Sequence, residues 1–195
     1  MILASRNAHK IRELDEILPG ATLKPLPQGI EMPPEDGDTF EANALIKARA
    51  ARAATGEAVL ADDSGLVVDA LGGRPGVRSA RYAGESASDG ENLEKLLRDV
   101  ASSAGPPTAR YVCVIAWIDE YGRESTFEGS CEGWIITEPR GDGGFGYDPA
   151  FIPDDTGPDD QRTMAELSPA EKHAISHRGR AARAMAERYQ GPVPD

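Results

Sequence analysis

Cysteine, basic charge and long apolar runs are all in short supply in this chain, and each shortage removes a class of function. There are two cysteines, Cys113 and Cys131, in 195 residues. They share no Cys-x-x-Cys or histidine spacing, so buried free thiols are expected rather than a disulfide framework or a zinc site. Lys and Arg number 21 against 33 Asp and Glu, a formal net charge of −12. Neutralising a phosphate backbone needs an extended basic surface, so DNA and RNA are excluded as the main partner, although a local pocket for a small anion is not. Met1 to Ala4 is far too short for the core of a signal peptide, and no run approaches a membrane span. These absences lead to the expectation of a cytoplasmic chain with no membrane partner. Its length fits a single domain over 1–195, of one or two lobes, with no linker or repeat.

Helices and strands alternate in the first half. Met1 to Ser5 reads as a short buried strand, and Asn7 caps a helix carrying Ile11, Leu14 and Leu18 until Pro19-Gly20. A short strand near Thr22 to Pro25 precedes an acidic loop, Glu31 to Asp38, whose prolines and glycine exclude regular structure. Asp38 and Glu41 form a capping-box pair for a helix from about Thr39 to Thr55, closed by Gly56. Ala58 to Ala61 reads as a strand that runs out at Asp62-Asp63-Ser64-Gly65, and Leu66 to Val68 as another apolar run. Leu71 to Gly76 is loop, and a helix follows from about Glu91 to Ala101. Tyr111 to Ile118 is a strand that Asp119 to Gly122 turns back into Glu124 to Cys131 and Gly133 to Thr137. Ser168-Pro169-Ala170-Glu171 starts a last helix, with Ala174, Ile175, Ala181, Ala182, Met185 and Tyr189 on its buried side. Helices interleaved with strands, then a hairpin, imply a mixed α/β sheet.

Five segments carry chemistry. Asp62 and Asp63 are adjacent acids at a strand end; they point to opposite faces while strand geometry persists, so one works and the other supports. An acidic turn is the plain alternative, since Asp, Ser and Gly favour turns. Ser5 to Lys10 opens a helix, where backbone N–H groups and a lysine attract an anion. The acidic loop offers carboxylates for magnesium, which takes one or two of them and leaves its other positions to water and phosphates. Gly141 to Pro149 surrounds two aromatic rings with glycines, so that backbone approaches a ligand closely and a ring stacks on a base. Lys172 to Arg183 is a basic island, and Ser176-His177-Arg178-Gly179 sets donors beside a candidate helix break.

Seven short motifs stand in order along the chain: Ser5-x-Asn7-x-x-Lys10, Thr39-Phe40-Glu41-x-Asn43-Ala44, Ala61-Asp62-Asp63-Ser64-Gly65-Leu66, Gly72-Gly73-x-Pro75-Gly76, Ser79-Ala80-Arg81-Tyr82, Gly144-Phe145-Gly146-Tyr147-Asp148-Pro149 and Ser176-His177-Arg178. The series resembles the non-standard purine nucleoside triphosphate pyrophosphatase family over nearly the whole chain. The resemblance implies hydrolysis of ITP, dITP or XTP to the monophosphate plus pyrophosphate. It also implies an elongated α/β fold of two lobes with the active site in the cleft between them, dependence on Mg²⁺, and a homodimer.

By the same resemblance, Asp63 activates water and joins the metal site, with Glu35 as the second metal carboxylate and Glu31 as its substitute if the loop register differs. Ser5, Arg6, Asn7, Ala8, His9, Lys10 and Lys172 hold the phosphates, and Ser64 touches substrate. Phe145, Gly146, Tyr147 and Asp148 enclose the base, while His177 and Arg178 read its six-oxo group. Many relatives carry Thr-Gly-Asn where this chain has Ser5-Arg6-Asn7, which leaves the role of Arg6 open. A pyrophosphatase for modified pyrimidine nucleotides and a catalytically silent nucleotide-binding module are the competing expectations.

Overall fold

A computed structural model describes residues 1–18 and 20–189. The expected helix stop at Pro19 and the side chain of Tyr189 fall outside the described residues. Six strands form one mixed sheet in the order β2-β1-β3-β4-β5-β6. They are β1 (Ile2–Leu3), β2 (Lys24–Pro25), β3 (Val59–Val68), β4 (Thr108–Ile118), β5 (Glu124–Ile135) and β6 (Phe151–Pro153). β1 runs parallel to both β2 and β3, and β6 pairs antiparallel with β5. The helices are α1 (Ala8–Ile17), α2 (Phe40–Thr55), α3 (Asp89–Val100), α4 (Pro169–Ile175) and α5 (His177–Tyr189). The mixed α/β architecture matches the expectation from sequence.

The chain divides into two compact units. The first contains residues 1–63, 113–129 and 177–195, the second 64–112 and 130–176. In the first unit, alternate residues of the strands serve two different helical covers, as the period of two requires. Ile2, Val59, Ala61, Val114 and Ala116 pack with Ala44, Ala48 and Ala51 of α2. Leu3, Leu60, Cys113 and Ile115 pack with Leu14 of α1 and with Ala181, Ala182 and Met185 of α5. In the second unit, Leu66, Val68, Leu96, Val100, Tyr111, Phe151 and Met164 share one core. The Tyr111 and Phe151 rings meet edge to face, with centroids 4.8 Å apart.

Four local expectations change. Asp62 to Gly65 do not turn: β3 continues through them to Val68. Gly65 is there for room rather than for bending, since a Cβ would lie 2.5 Å from the Gly76 carbonyl oxygen and nearer still to Ser79 Oγ. That hydroxyl accepts from the Leu66 N–H at 2.9 Å and donates to the Gly76 carbonyl at 2.7 Å. The cap of α2 is Thr39, whose hydroxyl accepts from the Ala42 N–H, so the Asp38–Glu41 capping box is replaced by a cap one residue later. A full capping box does occur at Ser88 and Glu91, and it starts α3 two residues before the expected position. Finally, the last helix is two helices. Ser176 is extended (φ −64°, ψ 151°), ending α4 in the second unit, and α5 begins in the first. Ile175 therefore packs in the second unit's core and Ala181, Ala182 and Met185 in the first's, while Ala174 is exposed.

Candidate active site

Because β3 is continuous, its adjacent acids face opposite ways and meet different cations. Asp62, 1% exposed, lies on the α1 and α5 face. Its Oδ2 is 3.1 Å from Lys10 Nζ and accepts from Nε and Nη2 of Arg178 at 3.4 and 3.2 Å. The guanidinium, 1% exposed, also donates through Nη1 to Glu13. Burial by itself would raise the Asp62 carboxyl, but Lys10, Arg178 and Lys47 outweigh it and hold the acid far below the usual carboxylate range.

Asp63, 6% exposed, lies on the α2 face. Lys47 Nζ stands 3.4 Å from its Oδ1 and 2.9 Å from Glu35 Oε2, so one ammonium joins the strand acid to the acidic loop. Asn43, one helical turn before Lys47, donates from Nδ2 to Asp63 Oδ2 at 3.2 Å. Burial, aided by Glu35, raises the Asp63 carboxyl above its ordinary value despite Lys47 and Lys10. Lys47 is itself raised: burial opposes its charge, but Asp63, Asp62 and Glu35 more than compensate. Neighbouring carboxylates in one strand are thus driven in opposite directions: Asp62 is held as the anion between Lys10 and Arg178, while Asp63, beside Lys47, takes up a proton more readily than an ordinary carboxyl.

Glu35 and Asp63 provide two hard oxygen donors around one position of positive charge, a set that fits an ion taking only one or two protein carboxylates. Glu31, the other candidate, is exposed. Among the described residues there is no cluster of three or more His, Cys, Asp or Glu arranged for a metal.

The remaining expected residues fall into distinct places. Asn7 caps α1, its Oδ1 accepting from the N–H groups of His9 and Lys10 at 3.0 and 3.2 Å, and Ser5 Oγ accepts from the Asn7 N–H. Arg6 and His9 are exposed, as is Ala8, and the Arg6 guanidinium donates to the Ile30 carbonyl at 2.6 Å, at the edge of the acidic loop. Ser64 belongs to the second unit, on β3.

In the second unit, Asp148 organises the glycine-rich turn. Its Oδ2 accepts from the Phe145 N–H at 2.8 Å and from Lys172 Nζ at 2.7 Å. Lys172 Nζ also lies 5.1 Å from the centre of the Phe145 ring. Lys172, expected with the phosphate-binding Ser5 to Lys10, is therefore grouped with the residues expected around the base. Gly144 has φ +69°, and a Cβ there would strike the Asp148 carboxylate, so this position requires glycine twice over. The Gly146 N–H donates to Asp89. Tyr147, 4% exposed, turns inward and donates its hydroxyl to the Ser79 carbonyl at 2.7 Å. Of the two rings in the turn, Phe145 is the more accessible and Tyr147 supports from within the core. His177 and Arg178, five and six residues after Lys172, open α5 in the first unit.

Reading the sequence alone misses Lys47 and Glu13, and places Asn43 in a motif without giving it a role. For Lys47 and Asn43 a signal exists: both flank the alanine face of α2 at i and i+4, where a lysine beside Ala44, Ala48 and Ala51 has to find a buried counter-charge. Cys113 and Cys131 are buried free thiols, and burial pushes Cys113 up to about 12, aided by Asp62.

A continuous mixed sheet carrying these two side-chain groups has close counterparts. The sequence profile of the Ham1 family matches residues 1–188, and the chain belongs to that family. It is 49% identical over 191 residues to the dITP/XTP pyrophosphatase of Symbiobacterium thermophilum, covering 96% of this chain and 93% of that protein. To the dITP/XTP pyrophosphatase of Geobacter sulfurreducens it is 50% identical over 186 residues, covering 93% and 92%. Among solved structures, the Staphylococcus aureus Ham1 protein is similar at 39% identity and a TM-score of 0.86, covering 97% of both chains. A HAM1 protein from Coxiella burnetii is similar at 43% identity and a TM-score of 0.85, covering 96% of both.

Proposed function

We propose that this chain hydrolyses non-standard purine nucleoside triphosphates to the monophosphate and pyrophosphate: dITP and XTP, which the names of its relatives carry, and ITP with them. The observation that carries the reading is the convergence of Glu35 and Asp63 on the single ammonium of Lys47. Water attacks the α-phosphorus in line; its proton passes to Asp63, and the bond to the bridging oxygen breaks so that pyrophosphate leaves. An ordinary carboxylate is a weak base at neutral pH, and burial of Asp63 strengthens it. Glu35 and Asp63 would hold Mg²⁺, which when bound supplies charge neutralisation on the triphosphate. Lys10, Lys47 and the start of α1 stabilise the departing anion.

Phe145 stacks on the base, held in place by the Asp148–Lys172 pair. His177 and Arg178 donate to the six-oxo group; the amino group of adenine would meet them with hydrogens of its own and leave buried donors unpaired. The contacts of Arg178 with Asp62 and Glu13 fix its direction before substrate binds. We assign the working form to a cytoplasmic homodimer; no helix among the described residues is long and apolar enough to cross a membrane. Light scattering of the purified chain tests the dimer.

Incubation with Mg²⁺ and a panel of ITP, XTP, dITP, GTP, ATP and dUTP, with pyrophosphate and orthophosphate measured separately, tests the reaction. Pyrophosphate from ITP, dITP and XTP is expected. Orthophosphate with a diphosphate product would reject attack at the α-phosphorus, and preference for dUTP would reject a purine substrate.

A further inference from the structure

The carboxamide of Asn43 is buried and used at both ends. Oδ1 accepts from the backbone N–H of Gly37 at 2.8 Å, and Nδ2 donates to Asp63 Oδ2 at 3.2 Å. A backbone N–H only donates and a carboxylate only accepts, so these neighbours fix which way the amide faces. Gly37 belongs to the same loop as Glu35, and a Cβ on it would lie 2.8 Å from both Asn43 Oδ1 and Ala42 Cβ. The loop is thus drawn against the first turns of α2 closely enough to require glycine. One turn further on, Lys47 makes the second link between that loop and Asp63.

We propose that Asn43 is a positioning residue for the reaction, orienting the Asp63 carboxylate and tying the Glu35 loop to it. Lys47 joins the same two segments through charge, which tolerates rotation of a carboxylate. Asn43 adds direction, because its planar amide fixes one oxygen of Asp63 and leaves lone pairs of that group aimed one way. The proposal rests on the reading of Asp63 as the acid that activates water, and the test separates the two.

Asn43→Asp keeps an acceptor for the Gly37 N–H but loses the donor to Asp63 and faces it with a second carboxylate; Asn43→Ala loses both links. Pyrophosphate release from dITP, thermal melting and hydrogen exchange of the 31–39 segment in metal-free protein are measured for all three proteins. In Asn43→Asp we expect kcat to fall about 100-fold with KM changed less than about threefold, as misorientation of a reacting group does. Its Gly37 amide should stay protected, whereas Asn43→Ala should lose that protection and also lose turnover.

Wild-type turnover in a folded Asn43→Asp would overturn the positioning role and leave a purely structural tie to the loop. If Asn43→Asp does not fold, Asn43→Ala decides: kcat within about twofold of wild type, or unchanged exchange at Gly37, overturns the proposal. A wild-type chain that releases no pyrophosphate from any non-standard purine triphosphate instead overturns the underlying assignment of the reaction.

Discussion

The two units carry different kinds of chemistry. In the first, charges answer charges: Lys10, Lys47 and Arg178 meet Glu13, Glu35, Asp62 and Asp63, with Asn43 as a neutral link. In the second, the buried ion pair of Asp148 with Lys172 supports an aromatic ring and the backbone of a glycine-rich turn. On the proposed reading the first group serves a polyanion and its bond breaking and, through His177 and Arg178, one edge of the base, while the second offers a ring to stack on a flat heterocycle. A charge change in the first should act on turnover or folding, and a shape change in the second on recognition.

The largest effect that tests this division is Asp63→Asn, expected to lower kcat by about 10³-fold while nucleotide binding stays measurable by calorimetry. Full turnover in that variant would end the assignment.

Asp62→Asn comes next and should act on folding. It leaves the buried Arg178 and the half-buried Lys10 with less counter-charge, costing about 3 kcal/mol, a fall in melting temperature of roughly 6–12 °C. The folded carboxyl is held below its unfolded value of about 3.9. Its contribution is therefore fully present above that pH and is lost as pH falls toward the depressed folded value. Acid unfolding of wild type should steepen below about pH 4, and Asp62→Asn should lack that part of the curve; identical acid limbs would show that the network contributes nothing.

Phe145→Ala should raise KM for dITP about 10-fold to 100-fold, with a smaller change in kcat. A kcat loss at unchanged KM would place the ring in the chemistry and blur the comparison. The smallest effect is at the cysteines: in the native protein at pH 8, Cys113, raised by burial to about 12, should resist alkylation until the chain unfolds. Fast labelling would show that this face of the sheet opens.

Much of the architecture could be read from local signals. Asn7, Ser168, Pro169 and Glu171 mark real helix starts, and the apolar run of β4 with the turn that leads back into β5 marks real strands. The largest error comes from partners distant in sequence. Asp62 to Gly65 has the composition of a turn, yet its acids are held in a strand by Lys10, Asn43, Lys47 and Arg178, and its glycine by Ser79. Composition does not reveal these pairings. The pairing of Lys172 with Asp148 likewise joins positions 24 apart in the chain. Where the signal was local but unread, as at Ser88 and Glu91 or on the alanine face of α2, closer attention to capping and to a lone lysine would have found it.

Gly65 sets a limit on how this chain can vary. Glycine in a turn is exchangeable for asparagine or aspartate at modest cost, so a population of sequences should drift there. Glycine occupying space that the Gly76 carbonyl and the Ser79 hydroxyl have already filled has no substitute, not even alanine. In a library randomised at 65, selection for folded protein should return glycine almost alone, whereas an open position such as Gly90, where a Cβ meets nothing within 4 Å, should return a broad mixture.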